Sequence, residues 1–417
     1  MRYLIVGSGI AAVGAVEGIR RFDRRGEITV LDGEKRGAYT RPLISYYLSD
    51  PIHYADLSFR PDSFFRLNQV EMIKARGIKI DRRARILNLD NGMQLAYDRL
   101  LLACGASPVQ PELSDLNQRW VSNFYTLEDV ERLDMNIREG QEAVVTGAGL
   151  IGLKAAEALL KRGLRVTLVE KAQHILPQVL SPTAAARLGV YLEKAGIKII
   201  AGDELAAVYP RHRIQLGSGT VLQSDQLIMA VGIRPNTELA FSAGLKVGKG
   251  IVVDRCLRTS DEYIFAAGDV IETPNLITSK REIMALLPHA HREGYLAGAN
   301  MSGQTLFYRG GVAMNSVKLQ GWSLFAAGIP KPGASRFYWQ EDDKYLEIHH
   351  HQNCLQKFIA INLPEAAGPL LSIIETQLPI PEKMWQEYVE GYPTIANLPA
   401  PYRQKIWEGE KNDGIEC

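Results

Sequence analysis

Twice along this chain a short unbroken apolar run gives way to glycines and then to small and apolar residues at helical spacing, and each time a second apolar run follows and ends on an acid. In the first copy Tyr3-Leu4-Ile5-Val6 predicts a strand, Gly7-Ser8-Gly9-Ile10-Ala11-Ala12 a tight turn into a helix that continues past Gly14, and Ile28-Thr29-Val30-Leu31 a strand closing at Asp32. The second copy begins about 140 residues later. There Ala143-Val144-Val145 is the strand, Gly147-Ala148-Gly149-Leu150-Ile151-Gly152 the turn, a helix runs through Leu160, and the strand from Arg165 to Val169 closes at Glu170. Continuous apolar strands such as these, and the one from Leu227 to Val231, predict mostly parallel sheets covered by helices on both faces. Beyond Gly310 the pattern changes to alternating runs broken by Gly and Pro, which predict antiparallel strands from Gly310 to Leu324. A hairpin follows from Tyr345 to His351 and Lys357 to Ile361, then an apolar helix from Glu365 to Ile374. The fold class is α/β, with a small α+β C-terminal domain.

The two turns share one chemistry. Gly7 and Gly147 allow the tight bend, Gly9 and Gly149 let the backbone approach a pyrophosphate, and the third position, Ala12 or Gly152, must be small for the helix to pack on its strand. Phosphate then sits at the helix N-terminus, beside Ala11 and Ala12 in one copy and Leu150 and Ile151 in the other, where unpaired N–H groups and the helix dipole favour an anion. Asp32 and Glu170 stand where a ribose diol would be bound. A carboxylate at Glu170 also repels a 2′-phosphate, which favours NAD(H) over NADP(H) at the second site; Lys171 beside it is the feature that suits NADP(H). One glycine triplet alone carries little weight, whereas two complete strand-turn-helix-strand-acid units point to two dinucleotides.

The segment Thr259-Ser260-Asp261-Glu262-Tyr263-Ile264-Phe265-Ala266-Ala267-Gly268-Asp269 delivers one carboxylate from an apolar strand through a glycine. With it the chain resembles the two-dinucleotide flavoprotein reductases of the pyridine nucleotide-disulfide oxidoreductase superfamily, over at least residues 1–310. The resemblance implies two Rossmann-like FAD/NAD-binding domains, with Asp269 on the flavin's ribityl chain. Leu101-Leu102-Ala103-Cys104-Gly105-Ala106 resembles the first exit from the FAD domain, with cysteine where threonine is usual. The stretch from Leu227 through Val231 and Gly232 to Thr237 resembles the strand that leaves the NAD domain near the nicotinamide. Pro288-His289-Ala290-His291-Arg292-Glu293-Gly294 resembles the flavin-contacting helix, and a helix beginning near Ala285 with Pro288 in its first turn would aim its positive end at the flavin pyrimidine. His289 and His291 are too close in sequence to share a helix face, which favours packing over a proton relay.

Composition narrows little else. The chain has 417 residues, 23% charged, and a net charge of +1, as in an ordinary globular protein with neither a nucleic-acid nor a membrane partner. The first strand starts within a few residues of Met1 and no apolar stretch reaches membrane-spanning length, so a cytoplasmic protein is expected. No motif sets the oligomeric state. Cys104, Cys256, Cys354 and Cys417 have no metal-ligand spacing.

Cysteine placement also separates branches of the superfamily. Its disulfide reductases carry a redox-active cysteine pair, or a single cysteine, soon after the first dinucleotide unit; here no cysteine precedes Cys104. In that place stands Ala38-Tyr39-Thr40-Arg41-Pro42-Leu43-Ile44-Ser45-Tyr46-Tyr47-Leu48. It is similar to the Tyr-x-Arg/Lys-Pro-x-x-Ser-x-x-Leu stretch of rubredoxin reductases, of ferredoxin reductases of oxygenase systems, and of the flavin part of NADH-dependent nitrite reductases. By that resemblance Arg41 and Pro42 approach the isoalloxazine ring; from the residues alone, Arg41 is equally a phosphate or surface ligand and Pro42 a helix-starting residue. Many relatives carry glutamate at the position of Lys154, where it pairs with the base matching Arg41. Two cations there would favour the anionic reduced flavin and raise its potential, unless an acidic partner or phosphate holds them.

The C-terminal segment resembles the small C-terminal domain of rubredoxin-reductase-type flavoproteins, and the tail from Pro379 to Trp407 either caps that domain, the favoured reading, or docks a partner. Successive strand residues point to alternate faces, so His349, His350 and His351 do not make a metal site, and none is assigned. The expected domains are FAD-binding at 1–112 and 246–308, NAD-binding at 113–245, and C-terminal at 309–417. In the expected reaction, hydride crosses roughly 3–3.5 Å from NADH to the flavin without a protein nucleophile. Single electrons then pass between FAD and a small redox protein, a rubredoxin, a ferredoxin or an iron-sulfur subunit, in either direction. The alternatives are an NADH oxidase acting on oxygen or peroxide, a redox-state-dependent binding protein without turnover, and a disulfide substrate served by Cys104 or a C-terminal cysteine.

Overall fold

The computed structural model describes residues 1–113, 116, 118–319, 321–390 and 400–409. Cys417 and the tail residues 391–399 lie outside the described residues. The chain divides into two compact units, one of Met1–Thr40, Tyr54–Ser107 and Arg234–Ala313, the other of Arg41–His53, Pro108–Ile233 and Met314–Cys417.

The first unit is built on five parallel strands in the order Ile264–Ala266, Arg99–Leu102, Arg2–Val6, Glu27–Leu31, Val70–Ile73. Helices cover the sheet, so residues pointing to either face are buried apolar ones at its centre: Ile5, Val30, Leu100, Leu101 and Ile264 are all 0% exposed. An antiparallel meander of Gly77–Asp81, Ile86–Leu89 and Gln94–Ala96 is added to it. The helices Ile10–Phe22 and Leu287–Met301 lie backbone to backbone. A Cβ at Gly14 would fall 2.2 Å from the His291 carbonyl oxygen, one at Gly18 2.1 Å from that of Tyr295, and one at Gly294 2.0 Å from that of Ala11. Any side chain at these positions would force the two helices apart.

The second unit repeats the plan. Its five parallel strands run in the order Ile197–Ala201, Arg165–Glu170, Glu142–Thr146, Gln226–Met229, Val121–Asn123. A meander of Leu205–Tyr209, Arg213–Leu216 and Val221–Gln223 follows. The strand expected from Leu227 to Val231 stops at Met229 instead. Gly232 takes φ +117° and Val231 is 42% exposed, so the backbone turns out of the sheet there. The C-terminal part of this unit is an antiparallel sheet in the order Met314–Leu319, Trp322–Gly328, Cys354–Ile361, Lys344–His351, Ser335–Glu341. The helix Pro364–Thr376 buries Leu370, Ile373 and Ile374 beside it, each at 0% exposure. Among the described residues no helix is long and apolar enough to cross a membrane.

Candidate functional site

Each unit carries a cradle at the carboxyl ends of its central parallel strands. In the first, Gly7 takes φ +111°, and a Cβ on it would lie 2.2 Å from the Ala103 carbonyl oxygen, because Ala103 crosses over the turn with its N–H on Val6 O at 2.9 Å. Gly9 differs: a Cβ there would meet no atom within 4 Å, so the space beside it is open. Gly9 caps the helix Ile10–Phe22 without a side-chain hydrogen bond. The helices Leu127–Asn136 and Pro182–Lys194, by contrast, are capped by Thr126 and Ser181. An open approach to an uncapped helix N-terminus, with Ala12 fully buried behind it, fits a dinucleotide pyrophosphate.

Asp32 is 2% exposed and is used by its own loop, accepting from Ser8 Oγ at 2.9 Å and from the Lys35 and Gly37 N–H groups at 3.0 and 2.8 Å. A carboxylate offers about four acceptor positions, so one is left for a ribose hydroxyl rather than two for a diol. The same loop carries a carboxylate that the sequence reading passed over, Glu34, which accepts from the Tyr39 hydroxyl at 2.7 Å.

The strand Ile264–Ala266 leads to Gly268, at φ +83°, and to the partly exposed Asp269. A Cβ at Gly268 would touch the Ala11 Cβ at 3.2 Å, so the Asp269 turn and the first helix meet at the same place. Pro288 lies in the first turn of Leu287–Met301 and is exposed. His289 and His291 go to different neighbours, as their spacing predicts: His289 Nε2 lies 2.9 Å from Val312 O, and His291 Nε2 2.8 Å from Glu17. The turn after the strand Arg99–Leu102 is held by Asn236, which donates to the Cys104 carbonyl at 2.9 Å, while Gly105 takes φ +65°. Burial pushes the Cys104 thiol up to about 12. The sequence reading gave Glu293 no part, yet this residue, 1% exposed, accepts the Gly268 N–H at 2.9 Å.

The second cradle matches the first closely. Gly147 takes φ +93° with its virtual Cβ 2.3 Å from Ala230 O, Gly149 faces open space, and a Cβ at Gly152 would lie 1.8 Å from Gly147 O. Leu150 and Ile151 form the first turn of the helix Leu150–Lys161, which also has no side-chain cap. Glu170 is 9% exposed and accepts the Ala148 and Ala172 N–H groups at 2.6 and 2.9 Å, which leaves about two acceptor positions for a ribose. Lys171, the feature that suited NADP(H), is 2.9 Å from Glu204. Val231 and Gly232 follow the last paired residue of their strand, and Gly232 O accepts the Val109 N–H at 3.0 Å.

Arg41, Pro42 and Lys154 all fall in this second unit. Pro42 sits in the 3₁₀ turn Arg41–Leu43 that precedes the helix Ile44–Ser49. The Arg41 guanidinium lies 4.7 Å from the centre of the Tyr125 ring. Lys154 pairs with Glu157, which is 5% exposed, and stands 4.2 Å over the Tyr46 ring. Lys154 is thus held by an acid at i,i+3, a spacing visible in the sequence.

Comparison with known proteins bears on both cradles. The family model described as pyridine nucleotide-disulphide oxidoreductase matches residues 1–294. An NADH oxidase of Methanocaldococcus jannaschii is 33% identical over 74% of this chain and 72% of its own. A rubredoxin-NAD(+) reductase of Pseudomonas putida is 30% identical over 73% of this chain and 80% of its own. The crystal structure of a ferredoxin reductase for the CYP199A2 system of Rhodopseudomonas palustris, 28% identical, superposes with a TM-score of 0.81 over 87% of this chain and 91% of that one.

Proposed function

The chain belongs to the pyridine nucleotide-disulphide oxidoreductase family, and we propose that it moves hydride between NADH and FAD and single electrons between FAD and a small redox protein. It is an oxidoreductase that uses FAD and NAD(P)H, as its family does. The finer reading rests on one observation: no cysteine precedes Cys104, and the Cys104 thiol is itself pushed up to about 12 by burial. Neither an early cysteine nor a reactive Cys104 is then at hand to relay electrons, which supports direct transfer from the flavin to an external acceptor.

We assign FAD to residues 1–112 and 246–308 and NAD(H) to 113–245, with 309–417 as a C-terminal domain. When bound, FAD supplies the hydride acceptor and the change from two-electron to one-electron transfer. Gly7, Gly9, Ala11 and Ala12 present backbone to its pyrophosphate, Asp32 offers one position to its ribose, and Asp269 holds the ribityl chain. Ala103, Gly105, Gly268 and Pro288 shape the remaining wall, and Arg41 and Pro42 are assigned to the ring. Gly147, Gly149, Leu150 and Ile151 hold the NADH pyrophosphate, Glu170 its ribose, and Val231 and Gly232 line the nicotinamide end. Glu170 repels a 2′-phosphate while Lys171 is engaged by Glu204, which supports NADH over NADPH.

The rubredoxin and ferredoxin reductases among the relatives support a small iron-sulfur or rubredoxin-type acceptor. The NADH oxidase relative keeps oxygen as a second reading. An anaerobic stopped-flow titration separates them. Flavin bleaching by NADH faster than by NADPH, followed by reoxidation on one carrier, is the expected outcome. Reoxidation by oxygen as fast as by every carrier would favour the oxidase, and no bleaching despite bound FAD would overturn the hydride step.

A further inference from the structure

In the second unit the segment 170–181 leaves the strand Arg165–Glu170 beside the nucleotide cradle and enters the helix Pro182–Lys194, and it is tied down at three places. Glu170, at its start, accepts the Ala148 N–H at 2.6 Å. Leu176, in its middle, returns its own N–H to the Ala148 carbonyl oxygen at 2.9 Å, so this one segment takes up both backbone groups of the residue between Gly147 and Gly149. Leu176 does so at φ +48°, a left-handed conformation that disfavours leucine, while Val179 and Leu180 donate to its carbonyl. A strained residue of this kind persists only where its surroundings over-determine it. Burial of Ile175, Leu176 and Leu180 supplies part of that constraint.

The third tie comes from the C-terminal sheet. Ser181, the cap of the helix Pro182–Lys194, donates its hydroxyl hydrogen to Glu347 Oε2 at 2.6 Å and accepts the Ala184 N–H at 3.3 Å. The direction is fixed, because an N–H only donates and Glu347 is a carboxylate paired with a cation: Arg336 Nη2 lies 2.8 Å from the same oxygen. Glu347 is fully buried on the strand Lys344–His351, and Tyr345 and His349 complete its bonds. A satisfied buried network of this kind is rigid, so it is the segment that conforms to Glu347. The same helix meets the sheet again farther along. Arg187 donates to Gln340 Oε1 at 3.0 Å and to the Asp342 carbonyl oxygen at 2.7 Å, and Tyr191 stacks on Trp322 with ring centres 4.4 Å apart. Those contacts hold the helix rather than the segment before it.

We propose that Glu347 is a positioning residue for the second nucleotide site: by holding Ser181 it keeps Leu176 in its left-handed conformation against Ala148, and so makes the C-terminal sheet part of what binds NAD(H). The proposal rests on the assignment of NAD(H) to the turn Gly147-Ala148-Gly149. Without the Ser181 tie, Leu176 relaxes toward an unstrained conformation, its N–H leaves Ala148, and the turn has to be reordered each time the nucleotide binds. The affinity of the oxidised holoenzyme for NAD+ then falls about tenfold, the low end of what a hydrogen bond to a charged group is worth.

The test is calorimetric titration of the oxidised holoenzyme with NAD+, read beside amide hydrogen exchange of peptides covering 171–180 before NAD+ is added. Ser181→Ala loses both the tie and the helix cap, Ser181→Asp keeps an acceptor for Ala184 but meets Glu347 as a second carboxylate, and Ser181→Thr keeps both bonds. The alanine and aspartate variants should bind NAD+ about tenfold more weakly and exchange faster over 171–180, and threonine should restore both. Arg187→Ala, which loosens the same helix away from the segment, should change neither. A Ser181→Asp protein that binds and exchanges like the parent, or an Arg187→Ala protein that binds NAD+ as weakly as Ser181→Ala, overturns the proposal. Should Ser181→Asp fail to fold, Ser181→Gly decides, since glycine caps nearly as well and carries no hydroxyl: parent-like affinity and exchange overturn the tie. Faster exchange with unchanged NAD+ affinity overturns the link to the nucleotide, and if Glu170→Ala also binds NAD+ as tightly as the parent, the assignment of the cradle is what failed.

Discussion

Replacing Gly294 by alanine and, separately, Gly9 by alanine divides packing from ligand binding within the first cradle. At Gly294 the added methyl would sit 2.0 Å from the Ala11 carbonyl oxygen, and real Cβ contacts essentially never fall under 3.0 Å, so the two helices must separate by about 1 Å. Overpacking by about 1 Å against backbone belongs at the upper end of the usual 1–3 kcal/mol, and the roughly 1 kcal/mol that alanine gains over glycine in a helix leaves a net cost of about 1–2 kcal/mol. With about 2–4 °C per kcal/mol for a unit of this size, Gly294→Ala should lower the melting temperature of the apoprotein by roughly 2–8 °C. At Gly9 the methyl meets no atom within 4 Å and φ is −73°, so folding should be untouched. FAD affinity should nevertheless fall, because the methyl occupies the approach of the pyrophosphate. Thermal unfolding of both apoproteins and FAD titration of both check this. Equal melting temperatures for Gly294→Ala and the parent, or unimpaired FAD binding by Gly9→Ala, would refute the division.

Three further outcomes follow from the geometry. With its thiol pushed up to about 12, Cys104 should be alkylated at pH 8 about a thousandfold more slowly than an ordinary exposed cysteine, which mass spectrometry of iodoacetamide-treated native protein measures. Glu204→Ala should release Lys171 and reduce the preference for NADH over NADPH by less than about tenfold, read from the ratio of kcat/KM values. Burial alone would raise Glu347, but hydrogen bonds from His349, Ser181, Tyr345 and Arg336 hold it down to about 2. Its folded-state pKa lies below the unfolded one, so its ionised contribution is present above about pH 4.5 and is lost as pH falls toward 2. Glu347→Gln should therefore cost about 3–5 kcal/mol at pH 7, by denaturant unfolding, and progressively less in acid.

The parts of the site that depend on local backbone were legible in the sequence. Positive φ at Gly7 and Gly147, open space at Gly9 and Gly149, and tight packing at Gly152 are what the glycine spacing demanded. Pro288 in the first turn of its helix was readable for the same reason, since proline fixes φ and gives up an N–H that is unpaired there anyway. Asp32 was less legible. Its position at a strand end was clear, but the loop donors that occupy three of its acceptor positions came from Ser8, Lys35 and Gly37, which no period relates. Glu293 was invisible as anything more than a helix residue, because its partner Gly268 meets it only through the tertiary fold. The strand ending at Met229 rather than Val231 shows the same limit, apolar residues continuing past the point where pairing stops.

The order of strands also sets the order in which the molecule can be made. The sheet of the second unit draws all its strands from one continuous stretch, Val121–Asn123 to Gln226–Met229. The sheet of the first unit has its edge strand Ile264–Ala266 about 160 residues after the neighbour it pairs with, Arg99–Leu102. At roughly 5–20 residues per second of synthesis, that neighbour emerges from the ribosome on the order of 10–30 s before its partner exists. During this interval the open edge of Arg99–Leu102 and the glycine face of Ile10–Phe22 are uncovered in the nascent chain. The parallel sheet of the second unit is thus born finished, while that of the first must wait, and it is in the waiting half that nascent-chain chaperones would find something to hold.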